Sequence, residues 1–520
     1  MDVSVRALKR PRVRGWHLAL GAILLLALGL RLHGIHDPLL DHPGWRQGDT
    51  AAIARNFATL DANPFQPQVD YDGPPPNYVE LELQVVPFLA ALLYKVFGVH
   101  PVFGRLISIA FSAGTVGVVA YFARFLFGSP IAGLAAALAL AIAPGSIYYG
   151  RTFTPDTAMV FFLTAALYWT ARYLLTAEPS NWRSLWPPAA LTALAILAKP
   201  VALVALVPIA AMALARFGLL GTVRRAQTWV FLAIAVLPFV AYDAYAGAIA
   251  EWHWSSGITR LHVLPALFAA FGSPAALAAK WQSFTDALAM LPATMLGGVE
   301  YWLAILAIFV PPPARARPLL YGWLAGALAY TFIVVTVERV DYYLYLLLPL
   351  AALGIGRLAA AAAIIVPPIG AARAAAAVAV LAGAAFVLRD NLAAIAPYYR
   401  WNPAVYVAAR ALDQSLAPHA LVVMGHYDPS VLYYINRKGW EEDPLLWTPF
   451  DEESAIRKGA RYFIAVEPRR LARNRDLSEW LARFPLDSRG RWPVYHTDPA
   501  LTLPGAEDRW QEYRRIELGL

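Results

Sequence analysis

Apolar runs of about eighteen residues or more, long enough to cross a bilayer, recur through the first 390 residues of this chain. Nothing else in the sequence constrains the fold so much. A backbone inside hydrocarbon must satisfy its own N–H and C=O groups, and long continuous apolar runs do so as α-helices. The composition agrees. The chain is 59% hydrophobic and 15% charged, whereas soluble domains lie near 45–50% and about 25%. A soluble enzyme, a disordered chain and a disulfide-stapled secreted scaffold are excluded together. The net charge of +8 does not call for nucleic acid. Arg6, Lys9, Arg10, Arg12 and Arg14 crowd the first segment against the single acid Asp2, a basic cytoplasmic flank under the positive-inside rule. There is no cysteine, so thiol chemistry is absent. The first apolar run lacks a small-residue cleavage site followed by a polar chain, and reads as a retained anchor.

The predicted architecture is an α-helical polytopic membrane protein with about eleven spans, at 15–34, 102–124, 130–148, 157–176, 185–198, 201–216, 227–247, 293–311, 319–337, 343–362 and 372–388. A transmembrane domain over 1–389 is followed by an extracytoplasmic domain over 390–520, where charge returns to soluble-domain density. The apolar run 83–98 is flanked by Glu80, Glu82 and Gln84 and carries Lys95, so it reads as an interfacial helix lying on the bilayer. The run 187–216 is split at Lys199-Pro200, because proline removes a backbone donor and the lysine wants water. With the N-terminus inside, Arg124, Arg172, Arg183, Arg216, Arg224, Arg225, Arg315, Arg317, Arg357 and Arg373 fall in cytoplasmic loops. Asp49, Glu80, Glu82, Asp156, Lys199, Glu251, Glu338 and Asp341 fall outside. Localisation in a bacterial inner membrane, with the C-terminal domain periplasmic, follows as the expectation.

The first outer loop, 35–81, centres on Asp41-His42-Pro43-Gly44-Trp45-Arg46-Gln47-Gly48-Asp49-Thr50, ahead of an amphipathic Ala51–Phe57. Asp49 stands where a helix N-cap is expected, so a capping role competes with a chemical one. Asp156, after Pro155 in Tyr148-Tyr149-Gly150-Arg151-Thr152-Phe153-Thr154-Pro155-Asp156, is open to the same two readings. Lys199 lies in an apolar run, a costly place that marks function by default.

The string WRQGDTAAIARNF after a first span resembles the integral-membrane glycosyltransferases of the GT-C fold. More narrowly, it is similar to the family-39-like enzymes related to protein O-mannosyltransferases and the lipid A aminoarabinose transferase. The resemblance covers roughly residues 15–360. It implies a sugar, hexose or pentose, taken from a polyprenyl-phosphate carrier at the outer membrane face, with an aspartate of the first outer loop as catalytic base. That role passes to Asp49. The family's acidic pair falls one helical turn earlier, at Arg46 and Gln47 here, which marks a variant of the motif. Asp156 matches the second acidic motif. Glu82, before Pro87, matches a charged residue facing the donor phosphate, and as an acid it would need a metal or a cationic partner. Lys199-Pro200 resembles the family's lysine–proline step. Glu338-Arg339-Val340-Asp341-Tyr342-Tyr343-Leu344, ahead of Pro349, resembles its tyrosine–leucine–proline segment. Lys199, Arg260, Tyr342, Tyr343, Arg46 and Arg151 are therefore the expected phosphate-binding residues. Arg151 and Arg105 are the weaker candidates, since arginine is abundant here, and membrane-interface tyrosines remain the other reading of Tyr342 and Tyr343. The segment 251–262 corresponds to a mobile substrate loop, and its His253 together with Glu82 offers too few ligands for a metal.

No cofactor is firmly implied, and a divalent metal stays open. The expected partners are a polyprenyl-phosphate-linked sugar, an acceptor hydroxyl on a lipid, glycan or protein, and membrane lipids, without nucleic acid. A transporter or flippase of lipid-linked sugars is the alternative. It would place ionisable residues at mid-membrane depth on broken helices, whereas here they gather toward one face. A non-catalytic, glycan-binding scaffold is a third possibility. The terminal piece alternates helical and strand patterns, such as 403–416, Ala420–Gly425, 429–437 and Tyr462–Val466, and reads as a small α/β domain. Its His426-Tyr427-Asp428-Pro429 follows a strand end, where such sheets bind ligands.

Overall fold

The structure is a computed structural model describing residues 13–176, 181–367 and 369–502. The basic N-terminal flank from Arg6 to Arg12 lies outside the described residues, as does the end of the terminal domain.

Among the described residues, seven helices are long and apolar enough to cross a membrane: Val102–Phe127, Asp156–Leu175, Pro200–Arg224, Ala226–Ile249, Ala314–Glu338, Asp341–Ile365 and Gly370–Ser415. Three further expected spans are present as shorter apolar helices, Gly15–Arg31, Pro130–Ile142 and Gly298–Phe309. Proline and glycine do the shortening. Pro144 restarts the chain as a separate turn, Pro144–Tyr148, and Gly297, at φ +72°, precedes the helix at 298. The expected span 185–198 is the helix Trp182–Ala198, with Pro187 and Pro188 inside it. Val85–Phe97 has 13 residues and is about 20 Å long, short of a ~30 Å hydrocarbon core. Lys199 is extended, at φ −165° and ψ 124°, as a residue before proline is pushed to be. A 3₁₀ segment then runs over Pro200–Ala205.

The segment 251–262, read as a loop, and the residues after it up to 295 carry regular structure. They hold a short strand at Trp252–His253, a π-turn at Ile258–Val263, and helices Leu264–Ala270 and Pro274–Met290. Ser273 caps the last of these, accepting from Ala276 N at 3.1 Å, with Pro274 in its first turn.

Contacts divide the chain into two compact units. The first comprises residues up to Ile35, Arg105–Asp243 and Ser255–Pro397. Within it Arg31, fully buried, ties three segments together. Its guanidinium donates to Ser112 Oγ at 2.8 Å, Ser146 Oγ at 2.6 Å and Ala27 O at 2.9 Å. The second unit is discontinuous, gathering His36–Gly104 and Ala244–Trp254 with Tyr398 onward. Where the sequence pattern placed one boundary near 390, the first loop is part of the same compact unit as the terminal piece.

That unit carries seven strands among the described residues: β1 Val79–Glu80, β2 Trp252–His253, β3 Leu421–Met424, β4 Lys438–Glu441, β5 Ala460–Ile464, β6 Leu486–Asp487 and β7 Val494–His496. β1 and β2 pair in parallel, setting Glu80 opposite His253. The others form one sheet in the order β4-β3-β5-β7-β6. β4, β3 and β5 run parallel and β7 antiparallel to β5. Val423, Trp440, Phe463, Leu477, Trp480 and Leu481 make its core.

Candidate functional site

In the second unit, Asp49 lies inside the helix Gly44–Thr59, whose N-cap position is Pro43. The capping alternative is thereby removed. The helix is buried on nearly every side, from Arg46 through Ala54, against the helices Val85–Phe97 and Pro429–Ile435. Gly48 permits this. A Cβ there would lie 2.5 Å from Ser430 Cα, so only glycine lets the two backbones meet at Asp49's flank.

Asp49 is 2% exposed, and its Oδ1 has no hydrogen-bond partner among the described residues. Burial raises its pKa from 3.8 to about 7, against the pull of the Arg46 charge and a hydrogen bond from the Tyr71 hydroxyl. Asp428 and Asp70 add to the rise. Arg46 is itself paired with Glu82, which gives that acid the cationic partner it needs. Asp70 is the contrasting case. Burial pushes it upward too, but Arg55 and Lys438 hold it below the usual carboxylate range. Lys438 Nζ donates to it at 2.9 Å, and Arg55 stacks 4.4 Å above the Tyr433 ring.

His253 Nδ1 lies 3.7 Å from Glu80 Oε2. The neighbour expected for it was Glu82, but the β1–β2 register turns Glu80 to it instead. Among the described residues no group of three His, Asp or Glu side chains gathers as a metal site would require.

In the first unit, Asp156 opens the helix Asp156–Leu175 without capping it. Its Oδ1 accepts from Lys199 Nζ at 2.6 Å, and its buried Oδ2 has no partner among the described residues. Lys199 lies 4.6 Å from the Tyr343 ring centroid and 5.2 Å from that of Tyr342. Asp156, Lys199, Tyr342 and Tyr343 thus form one cluster. Tyr149 joins its edge, its hydroxyl donating to Asp341 Oδ1 at 2.5 Å and its ring 5.9 Å from that of Tyr342.

The expected arginines divide. Arg151 and Arg105 donate to Gly34 O at 3.0 and 2.8 Å, clamping the end of the first helix. Arg260 is exposed in the π-turn. The sequence reading missed Tyr71 and Glu441, because long-range folding brings them to their site and no local motif marks them, and it gave Tyr149 no role although that residue stands in the motif ending at Asp156.

An acid poised near neutrality and a lysine–carboxylate pair among tyrosines can move a proton and hold an anion, respectively. Residues 84–242 match the family model of dolichyl-phosphate-mannose-protein mannosyltransferases, a stretch that includes Asp156 and Lys199. No curated protein matches the chain by sequence. In structure it is similar to ArnT from Cupriavidus metallidurans bound to undecaprenyl phosphate, at 16% identity and a TM-score of 0.61 over 95% of this chain and 100% of that one. The apo form of ArnT from that organism matches at 17% identity and a TM-score of 0.60, over 94% and 99% of the two chains. At such identity the likeness establishes architecture, and the chain is a membrane protein of the GT-C fold.

Proposed function

We propose that this protein is a glycosyltransferase that moves a sugar from a polyprenyl-phosphate carrier to an acceptor hydroxyl. The reaction would take place at the outer face of a bacterial inner membrane, with the N-terminus cytoplasmic. The observation that carries the reading is Asp49. It is a buried carboxyl with one oxygen unpartnered among the described residues and a pKa of about 7, matched to general-base work near neutrality. The matched family model and the undecaprenyl phosphate bound to ArnT point to the same donor class.

In the proposed step the acceptor oxygen attacks the anomeric carbon as Asp49 takes its proton. The bond from that carbon to the phosphate oxygen breaks, its electron pair stays on the phosphate, and the sugar inverts. Phosphate departs well once its charge is balanced, so no general acid is needed. Lys199, held beside Asp156, supplies that charge, with Tyr342 and Tyr343 donating hydrogen bonds. Asp156 orients the acceptor or shares the proton. Arg151 and Arg260 serve as supporting cations, while Arg46 is engaged by Glu82.

The test is the fate of the donor. Purified protein given an undecaprenyl-phosphate sugar and an acceptor is expected to release undecaprenyl phosphate and give a product of inverted anomeric configuration. Movement of the intact donor across a vesicle bilayer without cleavage would instead identify a flippase.

A further inference from the structure

The surroundings of Asp49 within the second unit carry information about the acceptor. Strand β4 ends at Glu441, opposite Met424 of β3. The first loop is bonded onto this strand: Gly439 N donates to Asp70 O at 2.9 Å, and Gly73 N donates to Gly439 O at 2.8 Å. Tyr71, whose hydroxyl reaches Asp49, is therefore bracketed by backbone bonds to β4. From the other side, Gly44 and Gly48 abut Asp428 and Ser430, which open the helix after β3.

Three buried polar atoms in this framework lack a partner among the described residues: Asp49 Oδ1, Ser430 Oγ and Glu441 Oε2. Glu441 is 6% exposed. Burial, and then the charges of Asp49, Asp72, Asp428 and Glu442, push its pKa well above the carboxylate range. It therefore keeps its proton to higher pH than an ordinary carboxyl, and a protonated carboxyl can donate as well as accept. The charged and titratable groups around Asp49 are Arg46 on its own helix, Asp70, Tyr71 and Asp72 in the loop, Asp428 before the packed helix, and Glu441 and Glu442 at the end of β4. Arg46 is paired with Glu82, and Arg55 and Lys438 are taken by Asp70. The remaining field is acidic. Beside it Tyr427 stands 68% exposed, an aromatic face of the kind on which a sugar ring stacks.

We propose that Glu441 is an acceptor-specifying residue, and that the site takes an uncharged, polyhydroxylated glycan in preference to a phosphate. This rests on Asp49 being the base. A polyhydroxylated sugar offers several hydroxyls to these two carboxyl groups and the serine, whereas a serine or threonine side chain offers one. A phosphate monoester would bring like charge into a carboxylate cluster whose cations are already engaged.

The experiment uses the full-length protein, an undecaprenyl-phosphate sugar donor, and three acceptors: a neutral glycolipid, its phosphorylated counterpart and a serine peptide. The neutral glycolipid is expected to be preferred in kcat/KM by at least roughly tenfold. Glu441→Ala is expected to raise its acceptor KM by roughly ten- to a hundredfold with kcat little changed, the loss of a hydrogen bond within a charged cluster. Glu441→Gln, which still donates and accepts, is expected to restore most of the affinity. Equal or better transfer to the phosphorylated lipid or the peptide overturns the proposal, as does an unchanged KM in Glu441→Ala. Asp49→Asn separates the two levels. If it still transfers normally, the base assignment fails. If it is silent while Glu441→Ala behaves as wild type, only the acceptor inference fails.

Discussion

Asp49 and Asp70 belong to one unit and are equally buried, yet their environments drive them apart. Asp70 has two cations in contact, whereas at Asp49 burial outweighs the pull of Arg46 and a tyrosine hydroxyl. A base with a pKa of about 7 must be deprotonated to work. The rate with saturating donor is therefore expected to rise with pH through a limb near 7, which a pH profile of kcat/KM checks. The same perturbation has a cost in stability. Between the unfolded value of 3.8 and the folded value of about 7, the folded protein keeps a proton that the unfolded chain releases. Stability contributed by this group therefore falls as pH rises through that window. Asp49→Asn is expected to raise the melting temperature above pH 7, a gain of order a few kcal/mol, since each tenfold change in proton affinity is worth about 1.4 kcal/mol. The gain should vanish near pH 4, and melting curves at the two pH values measure it. Asp49, Asp156 and Lys199 could all be singled out from local pattern. The partners of Asp49 could not, because Tyr71 and Glu441 reach it through tertiary contacts.

At the scale of elements, two glycines hold the Asp49 site together. Gly439 has φ +146°, and a Cβ there would lie 1.9 Å from Val422 O. Gly439→Ala is therefore expected to push β4 away from β3 and release the 70–73 loop, costing several kcal/mol by backbone strain and overpacking. Gly48→Ala should separate two helices locally and lower activity more than it lowers the melting temperature. Activity and melting measured together on the two variants distinguish these outcomes. The break at Lys199-Pro200 is legible because proline chemistry is local. The helix Pro274–Met290 is harder to see, although Ser273-Pro274 is a legible start signal. Its mixed composition, with Lys280 and Asp286 among apolar residues, hides it from a search for uniformly apolar spans.

For the whole molecule, membrane embedding follows from the apolar runs alone, and the GT-C fold from the likeness to ArnT. The division into units is less visible. Composition changes near 390 and suggests a separate terminal domain, but backbone bonds such as Gly439 N to Asp70 O cross that sequence gap. Composition records where polarity changes and carries no signal of which segments pair. The most direct measurement on the proposed chemistry is transfer of a labelled sugar from undecaprenyl phosphate by purified Asp49→Asn beside wild type, with donor binding determined in parallel. The expected result is a fall in kcat of roughly 10²- to 10⁴-fold with donor affinity nearly unchanged. Transfer at the wild-type rate would contradict a base role for Asp49.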